Sequence, residues 1–134
     1  MSYDVFSLVD VPLQSGQVLP DAQLAYKTYG ALNADRSNAI LLPTFYTGTH
    51  ERNEGFFGPG RAVDPEKHFV ISINMFGNGL SSSPSNTAAP ADRANFPRVS
   101  LYDNVACQKT LLETVFGIEK LLLVYGWSMG CLWA

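Results

Sequence analysis

"LLLVYGWSMG", Leu121–Gly130, is an apolar run that ends on two glycines with a serine between them. It predicts a buried strand entering a sharp turn, with Ser128 at the tip and Gly126 and Gly130 at the spacing G-x-S-x-G. A serine on so tight a strand-to-helix turn takes a strained backbone, and only glycines two residues to either side let the strand and the next helix approach that closely. The turn exposes the hydroxyl at the carboxyl end of a sheet. It also aims the Met129 N–H, with the positive end of the following helix behind it, at the place where a tetrahedral oxyanion forms. Ser128 is thus the candidate nucleophile, Met129 a candidate oxyanion donor, and Gly126 and Gly130 the elbow glycines.

Upstream, "AILLP" (Ala39–Pro43) and "FVISIN" (Phe69–Asn74) are continuous apolar runs of strand length, which predict strands buried on both faces. The earlier "VFSLVDVPLQSGQVLPDAQLAYKTYG" alternates apolar and polar residues around Ser-Gly and Pro-Asp breaks and predicts an antiparallel meander. In "SLYDNVACQKTLLETVFGI", Ser100 and Asp103 form a capping-box variant. Leu101, Val105, Leu112 and Val115 recur at helical spacing, and Gly117 can take a left-handed stop. Strands alternating with crossovers argue a mainly parallel α/β sheet. Residues 53–62 are expected to hold a helical turn or two. "MFGNGLSSSPSNTAAPADRANFP" is a loop longer than ordinary connections, which points to a functional or lid-like role.

The chain has 134 residues, 46% hydrophobic and 16% charged, with a formal charge of −3. That is the composition of one packed domain or part of one. No basic run suggests nucleic acid, and no segment has the length of a signal peptide's apolar core or a membrane span. A cytoplasmic protein is expected. Cys107 and Cys131 show neither CxxC spacing nor a nearby His pair, so no metal site is indicated and both read as small buried thiols.

A second oxyanion donor should come from the loop after an earlier strand. In "LLPTFYTGTH" the Thr47-Gly48 pair permits a close backbone approach, and Phe45 or Tyr46 can present the N–H; Tyr46 is preferred. His50 and His68 precede Ser128, whereas the triad order on such a sheet is Ser, then Asp or Glu, then His. His50 reads as a solvated loop residue and His68 as structural. "GNGLSS" and "GPGRAV" lack the residues that complete a dinucleotide or phosphate loop.

With these residues laid out, the chain resembles the α/β-hydrolase superfamily, and within it the homoserine O-acetyltransferase-like branch. The matching pieces are "LAYKTYGALN", "TGTH", "FFGPGRAVDPEKHFVISINMFGNGLSSSPS", "FPRVSLYDNVACQKTLLETVFGI" and "LLLVYGWSMG". The resemblance implies the N-terminal half of that fold, with antiparallel N-terminal strands leading into a mainly parallel sheet. It implies ping-pong acyl transfer, in which Ser128 takes an acetyl group from acetyl-CoA and a substrate hydroxyl then takes it from the serine. Acetyl-CoA would be a substrate, with no cofactor bound. Two features depart from the family's acetyltransferases: Trp127 stands where they usually have Gly, and "TFYTG" replaces a "HALTG"-like loop. A bulky Trp127 alters the acyl or acceptor pocket, which leaves an esterase-type hydrolase open as the alternative.

The resemblance further implies three later strands, an Asp, a His and a lid, none within residues 1–134, so the chain reads as a partial domain with no triad acid or base. A serine without its base keeps only weak residual catalysis. The apolar edge of the Leu121–Tyr125 strand is expected to favour self-association or a complementing chain. A non-catalytic remnant that uses this edge as an interaction module is the alternative from another class.

Overall fold

The computed structural model describes residues 2–133. Five strands form one sheet: β1 (Asp4–Pro12), β2 (Val18–Tyr29), β3 (Ala39–Pro43), β4 (Phe69–Ile73) and β5 (Leu123–Val124), in the order β1-β2-β4-β3-β5. The pairs β1/β2 and β2/β4 are antiparallel, whereas β3 runs parallel to both β4 and β5. This is the expected antiparallel meander opening into a parallel sheet. The Pro-Asp break does not end β2. Asp21 instead takes a left-handed φ of 44° beside a register irregularity around Val9, so the strand continues through a bulge.

Every residue of β3 and β4 is buried, because both faces of the sheet are covered. Side chains alternate across the strand. Ala39 and Leu41 therefore join Leu24, Phe69, Ile71, Ile73, Leu111 and Leu112 on the face covered by helix α2 (Leu101–Phe116). Ile40 and Leu42 join Phe57, Val63 and Val70 on the other face. β5 departs from the expected buried strand. Only two residues pair, with β3 alone, and Leu122, Leu123 and Tyr125 are exposed, since nothing among the described residues lies along the outer edge.

Helix α2 begins and ends as its sequence requires. The Ser100 hydroxyl accepts from the Asp103 N–H, the Asp103 carboxylate accepts from the Ser100 N–H at 2.8 Å, and Gly117 closes the helix at φ 62°. Arg36 Nε donates to the Phe116 carbonyl at 2.9 Å, setting a cation at the negative end of the helix. The buried stripe, however, is Asn104, Cys107, Gln108, Leu111 and Leu112, while Leu101, Val105 and Val115 are exposed. Of the polar members, Asn104 is held by a tertiary contact, its Oδ1 accepting the Phe76 N–H at 2.9 Å, whereas the buried Gln108 Nε2 has no hydrogen-bond partner among the described residues. Such contacts leave no trace in apolar periodicity.

The helical segment after β3 starts earlier than expected. It is a single α turn, α1 (His50–Asn53), followed by a 3-10 turn over Glu54–Phe56. The long loop after β4 does not have the character of a free lid. Ser81 and Ser82 lie against β2, where the Ala25 N–H donates to Ser81 Oγ at 2.9 Å and the Gln23 N–H to Ser82 Oγ at 2.8 Å. Those bonds extend the sheet past the end of β4.

Burial alone would push the Asp103 carboxyl up. Hydrogen bonds from the Ser100 and Gln14 N–H groups and the Ser100 hydroxyl outweigh it and hold the group below the usual carboxylate range. A depressed folded-state pKa stabilises the fold above the unfolded value, and that contribution is lost as pH falls through the folded one. Asp103→Asn is therefore expected to lower the melting temperature at pH 7 and to flatten its decline below about pH 4, read by thermal denaturation across pH.

Candidate functional site

The parallel strands β3 and β5 bring two loops together at their carboxyl ends. Leu41 pairs with Val124, so the end of β3 at Pro43 lies level with the turn that leaves β5. Ser128 sits exposed on that turn with φ 53°, a left-handed backbone that a non-glycine residue adopts at a cost of about 1–3 kcal/mol.

Both elbow glycines sit in close packing, Gly126 the more tightly. A Cβ on Gly126 would fall on the Gly130 carbonyl, and one on Gly130 would stand 3.1 Å from the Pro43 oxygen and 3.3 Å from that of Thr44. The elbow thus folds onto itself at Gly126 and docks onto the end of β3 at Gly130. The segment that follows, Ser128–Trp133, is 3-10 rather than α-helical. Met129, second in that segment, has no intrahelical acceptor for its N–H, and no hydrogen bond from it is found among the described residues.

The loop after β3 starts at buried Thr44, whose Oγ1 accepts the Met75 N–H at 3.0 Å. It turns through Phe45–Gly48, closed by the Gly48 N–H to the Phe45 carbonyl at 2.9 Å, with Thr47 at φ 62°. The Tyr46 side chain is 74% exposed, and its N–H has no acceptor among the described residues. Phe45 packs on Phe56, and Phe56 in turn meets Tyr125 and stacks on Trp127 at 5.8 Å, so one ring links this loop to the elbow. Phe56 had no signal in the sequence beyond being aromatic.

His50 is not a solvated loop residue. It is 1% exposed, its Nδ1 lies 3.1 Å from Asn74 Nδ2, and the Tyr3 ring packs on it at 5.7 Å. The expectation failed because α1 begins at His50 and turns its ring into the sheet end. His68 is structural as expected, its Nδ1 accepting the Asp64 N–H at 3.1 Å.

Cys107 is buried. Desolvation, and then the Asp103 carboxylate, push its thiol up to about 11, which keeps it protonated and unreactive at neutral pH. Cys131 corrects the expectation of two buried thiols: it is exposed, with its Sγ 2.8 Å from the Gly126 carbonyl. Among the described residues no three His, Cys, Asp or Glu side chains are grouped to hold a metal ion. No described helix is long and apolar enough to cross a membrane. A cavity of about 590 Å³ opens at the opposite end of the sheet, between Arg36, Gly117 and Leu122, far from Ser128.

Sheet order, parallel pairing and the serine elbow define the N-terminal part of an α/β-hydrolase fold. The chain's homologues are esterases and homoserine O-acetyltransferases. It is 47% identical over 129 residues to an ethyl acetate hydrolase of Pseudomonas veronii, covering 96% of this chain and 37% of that protein. It is 40% identical to a homoserine O-acetyltransferase of Chlorobaculum parvum, covering 96% of this chain and 36% of that one. Among solved structures, an acetylester hydrolase from Corynebacterium glutamicum superposes with a TM-score of 0.94 at 46% identity, covering 98% of this chain and 38% of that one. The chain therefore spans a little over a third of the length of the relatives it matches. No protein-family model matches it.

Alanine at the two elbow glycines separates the two packing contacts. Gly126→Ala, which collides with backbone inside the turn, is expected to cost about 2–3 kcal/mol, whereas Gly130→Ala, which β3 can relieve by a small shift, costs about 1 kcal/mol. Urea denaturation of both variants reads the difference.

Proposed function

We propose that this segment supplies the nucleophile half of a serine acyl-transfer site. The observation that carries the reading is the left-handed backbone of Ser128 within G-x-S-x-G, at the carboxyl end of a parallel strand. Ser128 Oγ attacks the acyl carbonyl. The Met129 N–H, together with an N–H of the β3 loop at Tyr46, receives the oxyanion. Collapse of the tetrahedral adduct expels the thiol or alcohol and leaves an acyl-serine, which a second nucleophile then cleaves. The residues after Ser128 in this sequence, Met129 to Ala134, include no Asp, Glu or His. On the triad order Ser, then Asp or Glu, then His, the general base and its acid come from outside these residues, and without them Ser128 keeps only weak residual catalysis.

Following the homoserine O-acetyltransferase resemblance, the donor is acetyl-CoA and the acceptor a substrate hydroxyl. Neither a cofactor nor a metal takes part. The second reading, acetyl-ester hydrolysis, has the Trp127–Phe56 stack in its favour, because that stack places bulk immediately beside Ser128 where homoserine acetyltransferases usually have Gly. In both readings the acyl-serine is the shared intermediate, and the acceptor alone differs.

In a chain extended to the relatives' length, a fluorophosphonate probe is expected to label the protein, and Ser128→Ala to abolish labelling. A label that survives the substitution sinks the assignment. Acetyl-CoA consumption with and without homoserine then separates the readings: transfer needs the acceptor, hydrolysis does not.

The exposed apolar edge at Leu122, Leu123 and Tyr125 favours association of the 134-residue chain with itself or with a complementing segment. Size-exclusion chromatography is expected to show species larger than a monomer. A monomer with a sharp cooperative melt counts against it.

A further inference from the structure

The loop Phe45–Thr49 is pinned at both ends to the two residues that follow β4. At its start, Thr44 Oγ1 accepts the Met75 N–H. At its end, Asn74 Oδ1 accepts the His50 N–H at 3.0 Å. His50 is the first residue of α1, and the N-cap residue Thr49 makes no side-chain capping bond. Asn74 thus caps α1 from 24 residues away in sequence.

The same oxygen accepts from Asn78 Nδ2 at 2.9 Å, and Asn78 Nδ2 also reaches the Gly48 carbonyl at 3.4 Å. Asn74 Nδ2 donates to the Ala25 carbonyl at 2.9 Å and lies 3.1 Å from His50 Nδ1. The residue's own N–H also donates to Ala25, and its carbonyl accepts from Ser81 Oγ at 2.7 Å. Asn74 is fully buried with both side-chain polar atoms partnered, so its orientation is determined on every side.

We propose that Asn74 is the positioning residue of the oxyanion loop: by holding the His50 N–H, and Gly48 through Asn78, it sets where the Tyr46 N–H stands relative to Ser128. The inference rests on the serine acyl-transfer reading. The other end of the loop is fixed independently, because Thr44 and Pro43 pack on Gly130. Without Asn74 the loop keeps its start and loses the bonds that hold Gly48 and the His50 N–H at its end. A donor displaced by about 1 Å from the developing oxyanion is worth a large share of the rate.

The test uses 4-nitrophenyl acetate turnover by a chain extended to the relatives' length, with the Ser128→Ala rate subtracted. If nothing remains after subtraction, the serine reading itself has failed. Asn74→Ala is expected to lower kcat by about tenfold to a hundredfold with KM changed by less than about twofold. Asn74→Asp keeps the accepting oxygen but turns a carboxylate oxygen toward the Ala25 carbonyl. It is expected to melt lower than wild type and still turn over faster than Asn74→Ala. A purely structural role makes activity follow stability instead. Wild-type kcat in Asn74→Ala, or Asn74→Asp slower than Asn74→Ala, overturns the proposal. If Asn74→Ala does not fold, Asn78→Ala decides: a severalfold loss of kcat at unchanged melting temperature supports it, and an unchanged kcat overturns it.

Discussion

The rest of the structure depends on the parallel pairing of β3 with both of its neighbours. Five residues, Ala39–Pro43, pair with β4 along one edge, and two of them, Ile40 and Leu41, pair with β5 on the other, with apolar contacts on both faces. Because all three strands point the same way, their carboxyl ends open to one side. The loop after β3, the Asn-rich turn after β4 and the serine elbow after β5 meet there. An antiparallel neighbour in place of β5 would have carried Ser128 to the far end of the sheet, beside Arg36 and Gly117.

The space between those loops is closed at two depths. Backbone meets backbone at the bottom, where Gly130 lies so close to the Pro43 and Thr44 carbonyls that a Cβ there requires them to shift. Nearer the surface, Phe56 bridges Phe45 and Trp127. Behind both, Asn53 Nδ2 donates to the Leu42 carbonyl at 3.1 Å and to Ser72 Oγ at 2.9 Å, locking α1 to the last residues of β3 and to β4. A buried amide whose N–H groups are partnered in this way is rigid and specific, since any shift strands a donor in a dry interior.

How much of this could be read from the sequence followed the range of the interactions. Strands β3 and β4 were legible because burial on both faces writes a continuous apolar run, and α2 because Ser100, Asp103 and Gly117 place its boundaries locally. The left-handed backbone at Ser128 was legible from two glycines. The start of α1 was not, because its cap lies across the sheet at Asn74 and Thr49 gives no signal of its own. For the same reason His50 read as a solvated loop residue: what packs on its ring is Tyr3, nearly fifty positions earlier, and Asn74, across the sheet. The buried stripe of α2 was misread because Asn104 and Gln108 lie inward, which apolar spacing cannot show. An asparagine directly after a fully buried strand is the one local hint that a tertiary cap lies there.

The capping carboxylate of α2 has a further partner, the Gln14 N–H at 2.9 Å, 89 residues earlier in the chain. The boundary of the longest helix is thereby shared with the β1–β2 hairpin. A cap that is usually settled within one turn of chain here waits on closure of a loop of that length, an entropic toll that grows only slowly with separation. The helix can nucleate early, but its first turn becomes fully satisfied only when Gln14 and Asp103 have found each other, so a locally coded element reports on global topology.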